Sequence, residues 1–289
     1  MATVHLHNPN TARFDEFVDD SEWAGEPFWM LNTFAYHPGA AAAEANRAYG
    51  NSMQGILSDV GARIVMQARV ARTVIGERSW EAAAVVEYPS PQAFYEMATS
   101  AALEAASGQR QTAFRDQFLI PISAGWMPGF DPDKPVNARG DIRTWSSSDL
   151  ADTDNAFVGD HPTQASSEQA ADLVSDERFR DTPVWMLNLL KYAPDGGKQK
   201  HDAYAAGGGN DFPGGSLGRQ FGLRVVYSAR RTFASLIGST DWDSVAMVGY
   251  PSRDHFLSMG ANPNYIALHE GRKAGLSETY IVAMQSRLF

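Results

Sequence analysis

The ten residues PFWMLNTFAY at 27–36 return 156 positions later as PVWMLNLLKY at 183–192, with Pro, Trp, Met, Leu, Asn and Tyr in register. The correspondence continues down the chain. Tyr49 matches Tyr204, and GARIVMQAR (61–69) matches GLRVVYSAR (222–230). Trp80 matches Trp242, EYPSPQAFYEM (87–97) matches GYPSRDHFLSM (249–259), and Arg110 matches Arg272, all at one offset. LIPI (119–122) falls opposite IVAM (281–284). The offset grows only where one copy has a longer loop, so the unit is a duplicated domain of roughly 110 residues, an ordinary size.

Each copy reads the same way. An apolar strand (28–36; 184–192) leads into a helical stretch ending near the tyrosine. A second strand begins at Gly61 or Gly222, and a turn at Gly76 or Gly238 leads to a third at Trp80 or Trp242. Pro-Ser then opens a helix with Ser90 or Ser252 as N-cap, and a short strand ends the copy. The order β-α-β-β-α-β is the ferredoxin-like split motif. Helices cover only one face of such a sheet, so its other face needs a partner. Two copies in one chain can supply it to each other. The expected fold class is α+β: two tandem ferredoxin-like domains pairing within the chain as a dimeric α+β barrel. The boundaries read 11–122 for the first repeat, 123–166 for a linker and 167–289 for the second repeat. The linker carries Trp126, Phe130, Trp145 and Phe157, too many aromatics for a free tether, so part of it should lie against the domains.

Composition excludes several classes. Net charge is −10 with no Lys/Arg run, which argues against nucleic acid and anionic membrane as partners, because neutralised phosphates supply most of that affinity. No apolar run approaches the roughly 20 residues that span a bilayer. The opening MATVHLHNPN has no basic segment before an apolar one, so no secretory signal is expected and the protein reads as cytoplasmic. With no cysteine, thiolate metal sites and thiol nucleophiles are excluded.

Candidate chemistry begins with Asn32 and Asn188, carboxamides inside apolar strands that need hydrogen-bond partners to be buried. By alternation Asn188 shares a face with Met186, Leu190 and Tyr192; Tyr36 is the first copy's counterpart of Tyr192. Arg63 and Arg224 open the second strand and are candidates for a carboxylate or enolate, through the bidentate fork of arginine. None of the seven histidines has a match in the other copy. Tyr265, His269 and Arg272 share one helix face, where a histidine could exchange protons while Arg272 holds an oxyanion. His201 lies close to Tyr204, and Trp242 precedes a strand of the same copy. The glycine-rich stretch 205–222 lacks the GK[ST] ending of a phosphate loop and reads as a mobile or wide loop near a pocket mouth. These features place the expected site mainly in the second copy, with His269, Arg272 and Arg224 as catalytic candidates. A structural reading stands beside each of them: a tied-down Asn, surface ion pairs for the arginines, and a packed histidine.

MLNLLKY, the Trp-Asp before the third strand, YPSR and the ending NYIALHEGRKAGLSETYIVAM resemble a bacterial family of dimeric α+β barrel proteins, the domain of unknown function 1330. Both copies are covered; the first departs at GQRQTAFRDQ, where the second has EGRKAGLSET. The resemblance implies the barrel fold. Related families include cofactor-free oxygenases, isomerases, cyclases and haem enzymes, so it does not choose a reaction. A haem would want an axial ligand such as His269, and nothing else in the sequence asks for one. The reading is therefore a cofactor-independent enzyme acting on a small, partly apolar substrate by proton transfer and oxyanion stabilisation, as an isomerase, cyclase or lyase. The alternatives are a cofactor-free monooxygenase of a phenolic substrate and a non-catalytic small-molecule binder. A homodimer of the whole chain is compatible with all three.

Overall fold

A computed structural model describes residues 3–6, 8–125, 140–206 and 215–287. The first half runs α1 (Thr11–Asp19), β1 (Phe28–Tyr36), α2 (Ala40–Asp59), β2 (Arg63–Ile75), β3 (Ala82–Tyr88), α3 (Pro91–Ala98), α4 (Ala101–Ala113) and β4 (Phe114–Ser123). Two short helices follow, α5 (Ser147–Ala151) and α6 (Ser167–Ser175). The second half runs β5 (Val184–Tyr192), α7 (Gly197–Ala206), α8 (Gly215–Gln220), β6 (Arg224–Ser228), β7 (Ser244–Tyr250), α9 (Arg253–Gly260), α10 (Pro263–Gly275) and β8 (Leu276–Arg287).

The eight strands form one antiparallel sheet in a mixed α+β fold, ordered β4-β1-β3-β2-β8-β5-β7-β6. Each half therefore repeats the same internal order. At the seam β2 pairs with β8, from Gln67↔Arg287 to Ile75↔Ile281. The opposite edges also meet: Leu119 N donates to Ile237 O (3.0 Å), Leu236 N to Leu119 O (2.8 Å) and Phe233 N to Pro121 O (2.9 Å). Those bonds bring β4 back to the chain that follows β6, so the sheet closes.

Alternation sorts the side chains. Trp29, Leu31, Trp185, Leu187, Leu189, Phe118, Ile120, Trp80 and Trp242 turn inward and make one core from both halves. The other face of each half packs under helices: Phe28, Met30 and Tyr88 with Phe94 in the first, Met186 and Tyr250 with Phe256 in the second. Gly76 and Gly238 sit at positive φ (+111° and +117°) on hairpins of opposite halves. Each faces an aromatic ring of the other half: a Cβ would lie 2.1 Å from the Tyr280 ring and 1.8 Å from the Phe118 ring, respectively.

Local signals decide the helix starts. Ser90 Oγ accepts from Ala93 N (3.1 Å) and Ser100 Oγ from Leu103 N (3.1 Å), while Asn262 caps α10. Ser252 differs from expectation: its hydroxyl pairs with His255 Nδ1 (2.9 Å) instead of capping α9. The strands also start later than the sequence suggests. Gly61 and Gly222 are positive-φ turns before β2 and β6, and Trp80 and Trp242 precede β3 and β7. Of the linker aromatics, Trp145 and Phe157 are buried against the second half. Trp126 and Phe130 lie outside the described residues, as do residues 207–214 of the glycine-rich stretch.

Candidate functional site

Matching residues of the two halves stand in matching places between sheet and helices. In the first half these are Asn32, Tyr36, Tyr49, Tyr88 and Arg110, all lining one cavity. In the second, Asn188, Tyr204, Tyr250 and Arg272 line another. The alternation that put Asn188 with Met186 and Leu190 is what the structure shows. Each carboxamide folds back on its own strand, Asn32 Nδ2 donating to Met30 O (2.9 Å) and Asn188 Nδ2 to Met186 O (3.0 Å).

The cavities differ greatly in size. The first has a volume of about 1380 Å³, counting the groove beside β2 and α6 into which it opens, and the second about 40 Å³. The smaller volume is room for about three waters. Three substitutions narrow the space in the second half. Tyr265 fills the second cavity where Leu103 stands in the first, and its hydroxyl lies 2.6 Å from that of Tyr204. A Cβ on Gly275 would lie 2.6 Å from His201 N, so α7 crosses there at a distance that Ala113, its counterpart, forbids. A Cβ on Gly260 would meet Asn155 Oδ1 at 2.2 Å and the Phe157 ring at 2.5 Å; the first half has the fully buried Ala98 instead. Phe157 accordingly enters the second half and stacks on Phe256 (4.0 Å, 17°).

The two arginines also differ. Arg272 is buried, its Nη1 donating to Thr163 O (2.8 Å) and its Nη2 to Thr279 Oγ1 (3.3 Å). Arg110 is only 3% exposed; Nη2 donates to Gln117 Oε1 (2.5 Å), while Nε and Nη1 are buried without a partner among the described residues. Neither arginine has a carboxylate within ion-pair distance among the described residues. Burial pushes the Tyr88 hydroxyl far above its usual range and also raises that of Tyr36. Both therefore remain protonated donors at neutral pH. Of the carboxylates along the larger cavity, Glu81 accepts from Tyr36 N (2.9 Å) and Arg115 Nη2 (3.1 Å), and Asp172 accepts from Arg72 Nη1 (2.7 Å).

The remaining candidates fall in several places. His269 is 1% exposed, both ring nitrogens lack partners among the described residues, and it does not line the second cavity. Burial first, then Arg272, lowers its pKa to about 2. The ring is packed edge-on against Phe157 (5.8 Å, 89°), and a pKa lowered by burial leaves it neutral near pH 7. His201 lines the second cavity, and burial lowers its pKa to about 4. Tyr192 lies 5.6 Å from the His201 ring but outside that cavity. Trp242 is on the opposite side of the sheet, in the inner core near Tyr280 (6.4 Å), because it turns inward before β7. Arg63 is 70% exposed in its side chain and binds Glu87 (2.8 Å), the surface pairing weighed for it from the sequence. Arg224 is half-buried on β6 and lines neither cavity.

Sequence reasoning passed over Arg110, Tyr88 and Tyr49 as site residues. The signal was available, since Arg110, Tyr88 and Tyr49 align with Arg272, Tyr250 and Tyr204. Among the described residues no group of three His, Asp or Glu side chains could hold a metal, and no helix is long and apolar enough to cross a membrane.

No protein-family model matches the chain, and no curated protein does. Among solved structures it is similar to a protein of unknown function from Rhodopseudomonas palustris, at 28% identity and a TM-score of 0.37. That match spans 44% of this chain and 99% of the other. It is also similar to an anthrone oxidase-like protein (12% identity, TM-score 0.45, 93% of each chain). A variant chlorite dismutase from Candidatus Nitrospira defluvii is similar over 95% of each chain, at 9% identity and a TM-score of 0.42. These likenesses are in overall shape, and none reaches a TM-score of 0.5.

Proposed function

We propose that the chain is a tandem pair of ferredoxin-like units closed on each other as a dimeric α+β barrel, and that it is an enzyme of small, partly apolar molecules working in the first-half cavity. The substrate enters as an anion, a carboxylate, phenolate or enolate, and Arg110 holds its oxygen. The observation that carries this reading is Arg110 itself: a buried guanidinium on a cavity wall, with two nitrogens lacking acceptors among the described residues. Burying a cation without a partner is costly, and an anionic ligand would offset that cost. Met30, Phe34 and Phe94 offer apolar wall, and Asn32, Tyr49 and Tyr88 offer polar groups of fixed orientation.

The inner cavity is better supplied with donors than with bases. Protonated tyrosines and Arg110 suit a charge that develops on oxygen, in isomerase, cyclase or lyase chemistry. Glu81, at the Tyr36 end, is the carboxylate placed to take a proton, and it also accepts from Arg115. A substrate acidic enough to arrive already ionised would need no base at all.

The test is titration calorimetry with salicylate, followed by turnover assays on enolisable and phenolic compounds. Arg110→Met should weaken salicylate binding roughly 10- to 150-fold, the equivalent of a charged hydrogen bond worth about 1.5–3 kcal/mol. It should leave the melting temperature unchanged or higher, because it removes a buried charge without an acidic partner. Equal affinity in Arg110→Met would refute the reading. Oxygen uptake on substrate addition would move the assignment to a cofactor-free monooxygenase, and tight binding with the ligand unchanged would move it to a binding protein.

A further inference from the structure

The second-half cavity shares with the first an asparagine, two tyrosines and an arginine at matching positions, yet Phe157 of the chain's own linker enters it. We propose that residues 155–165 act as an internal ligand there, masking a second site for a small aromatic acid; the aromatic-anion class rests on the reading of the first half given above.

Two contacts divide the role of such a ligand between them. Phe157 supplies the ring, stacked on Phe256 at 4.0 Å, 5.2 Å from Tyr265 and edge-on to His269 at 5.8 Å. Thr163 supplies the oxygen: its carbonyl accepts from Arg272 Nη1 at 2.8 Å, and the residue is fully buried. An aromatic ring and an oxygen on the cavity arginine are what the first half would take from a ligand. Arg110 Nη1 has no such acceptor among the described residues.

The segment is fastened where the second half departs from the first. Asn155 Nδ2 donates to Leu257 O (3.0 Å), and Ala156 N donates to Gly260 O (2.8 Å). Gly260 leaves the space for Asn155 and Phe157, whereas the first half has the methyl of Ala98 at that position. Gln164 Nε2 bonds Ala156 O (2.9 Å) and Ala165 N bonds Phe157 O (2.7 Å), so the segment holds its own shape as it enters.

The experiment counts salicylate sites on the full-length chain by calorimetry. Wild type should bind one molecule per chain. Phe157→Ala should bind two, and Phe157→Ala with Arg110→Met should bind one. Adding Arg272→Met to that pair should abolish binding. Gly260→Ala, which presses a methyl into the linker and leaves Phe157 in place, gives a second route to the same count should Phe157→Ala fail to fold. If the variants that fold still bind one molecule, lost on Arg110→Met, no second site is masked and the proposal falls. It falls equally if the new site survives Arg272→Met. Should wild type bind nothing while Phe157→Ala with Arg110→Met binds one, the first-half reading fails and the masked site stands.

Discussion

Gly238→Ala tests the closure of the sheet, on which both cavities depend. The backbone at Gly238 has φ +117°, and a methyl there would lie 1.8 Å from Phe118 Cδ1 and 2.0 Å from Cε1. The ring cannot swing away freely: Phe118 is 1% exposed, lies 5.2 Å from the Trp80 ring, and has the Arg78 guanidinium 5.0 Å above it. Backbone strain for an L residue in a region favouring glycine costs about 1–3 kcal/mol. Overpacking a core adds about 1–3 kcal/mol. The sum, roughly 2–6 kcal/mol, should lower the melting temperature by about 5–20 °C at the 2–4 °C per kcal/mol usual for chains of this size. Gly25→Ala is the control, because it has φ +71° but nothing within 4 Å of the new methyl. It should show the strain alone. A double-mutant cycle in urea then isolates the contact. Phe118→Ala alone should cost about 3–5 kcal/mol, and combining it with Gly238→Ala should cost at least ~1 kcal/mol less than the sum, since the clash goes with the ring. Additivity within about 0.5 kcal/mol would show that the hairpin of one half does not close on the aromatic of the other.

Two further outcomes follow from burial and exposure. His201 and His269 are buried neutral, with pKa values lowered to about 4 and about 2, so below pH 6.5 the unfolded chain binds protons that the folded chain refuses. Stability should be full above pH 6.5 and fall as pH drops, by about 2 kcal/mol from each histidine between pH 7 and 5; urea midpoints of a His201→Asn/His269→Asn variant should lose most of that slope, and an unchanged slope would contradict the burial. Arg63→Ala removes a pair whose arginine side chain is 70% exposed, so it should cost at most about 1 kcal/mol and leave salicylate affinity within twofold; a larger loss of binding would return Arg63 to the site.

Much of the fold was legible because it is written twice. Strand alternation around Asn188, the β-α-β-β-α-β order of elements and the burial of Trp145 and Phe157 each follow from periodicity or from aromatic content. The sizes of the two cavities were not legible. The narrowing of the second turns on Gly260 against Ala98, Gly275 against Ala113 and Tyr265 against Leu103, changes of a methyl or a ring whose effect appears only once two helices and a linker are brought together. A histidine present in one copy alone draws attention in a sequence, whereas its burial, which lowers the pKa of His269 to about 2, shows only in the fold. An arginine present in both copies gains no weight from the duplication, because duplication preserves packing as faithfully as chemistry.

The comparison between halves separates those roles better than either half does alone. Both guanidiniums are buried, and both stand beside a tyrosine and an asparagine on the same strands. In the second half the chain answers the charge itself, with Thr163 O and Thr279 Oγ1 on Arg272 and an aromatic ring seated beside them. In the first half Gln117 answers one nitrogen of Arg110, the other two are buried without an acceptor among the described residues, and the arginine lines a large cavity. A buried donor without an acceptor costs about 1–3 kcal/mol, more when charged, so a packed domain with no ligand would be more stable with methionine there. The first half keeps the donor and the space together, and an anion that fits the space removes the cost. That pairing of an unanswered charge with a cavity is the support for the proposal of a ligand at Arg110.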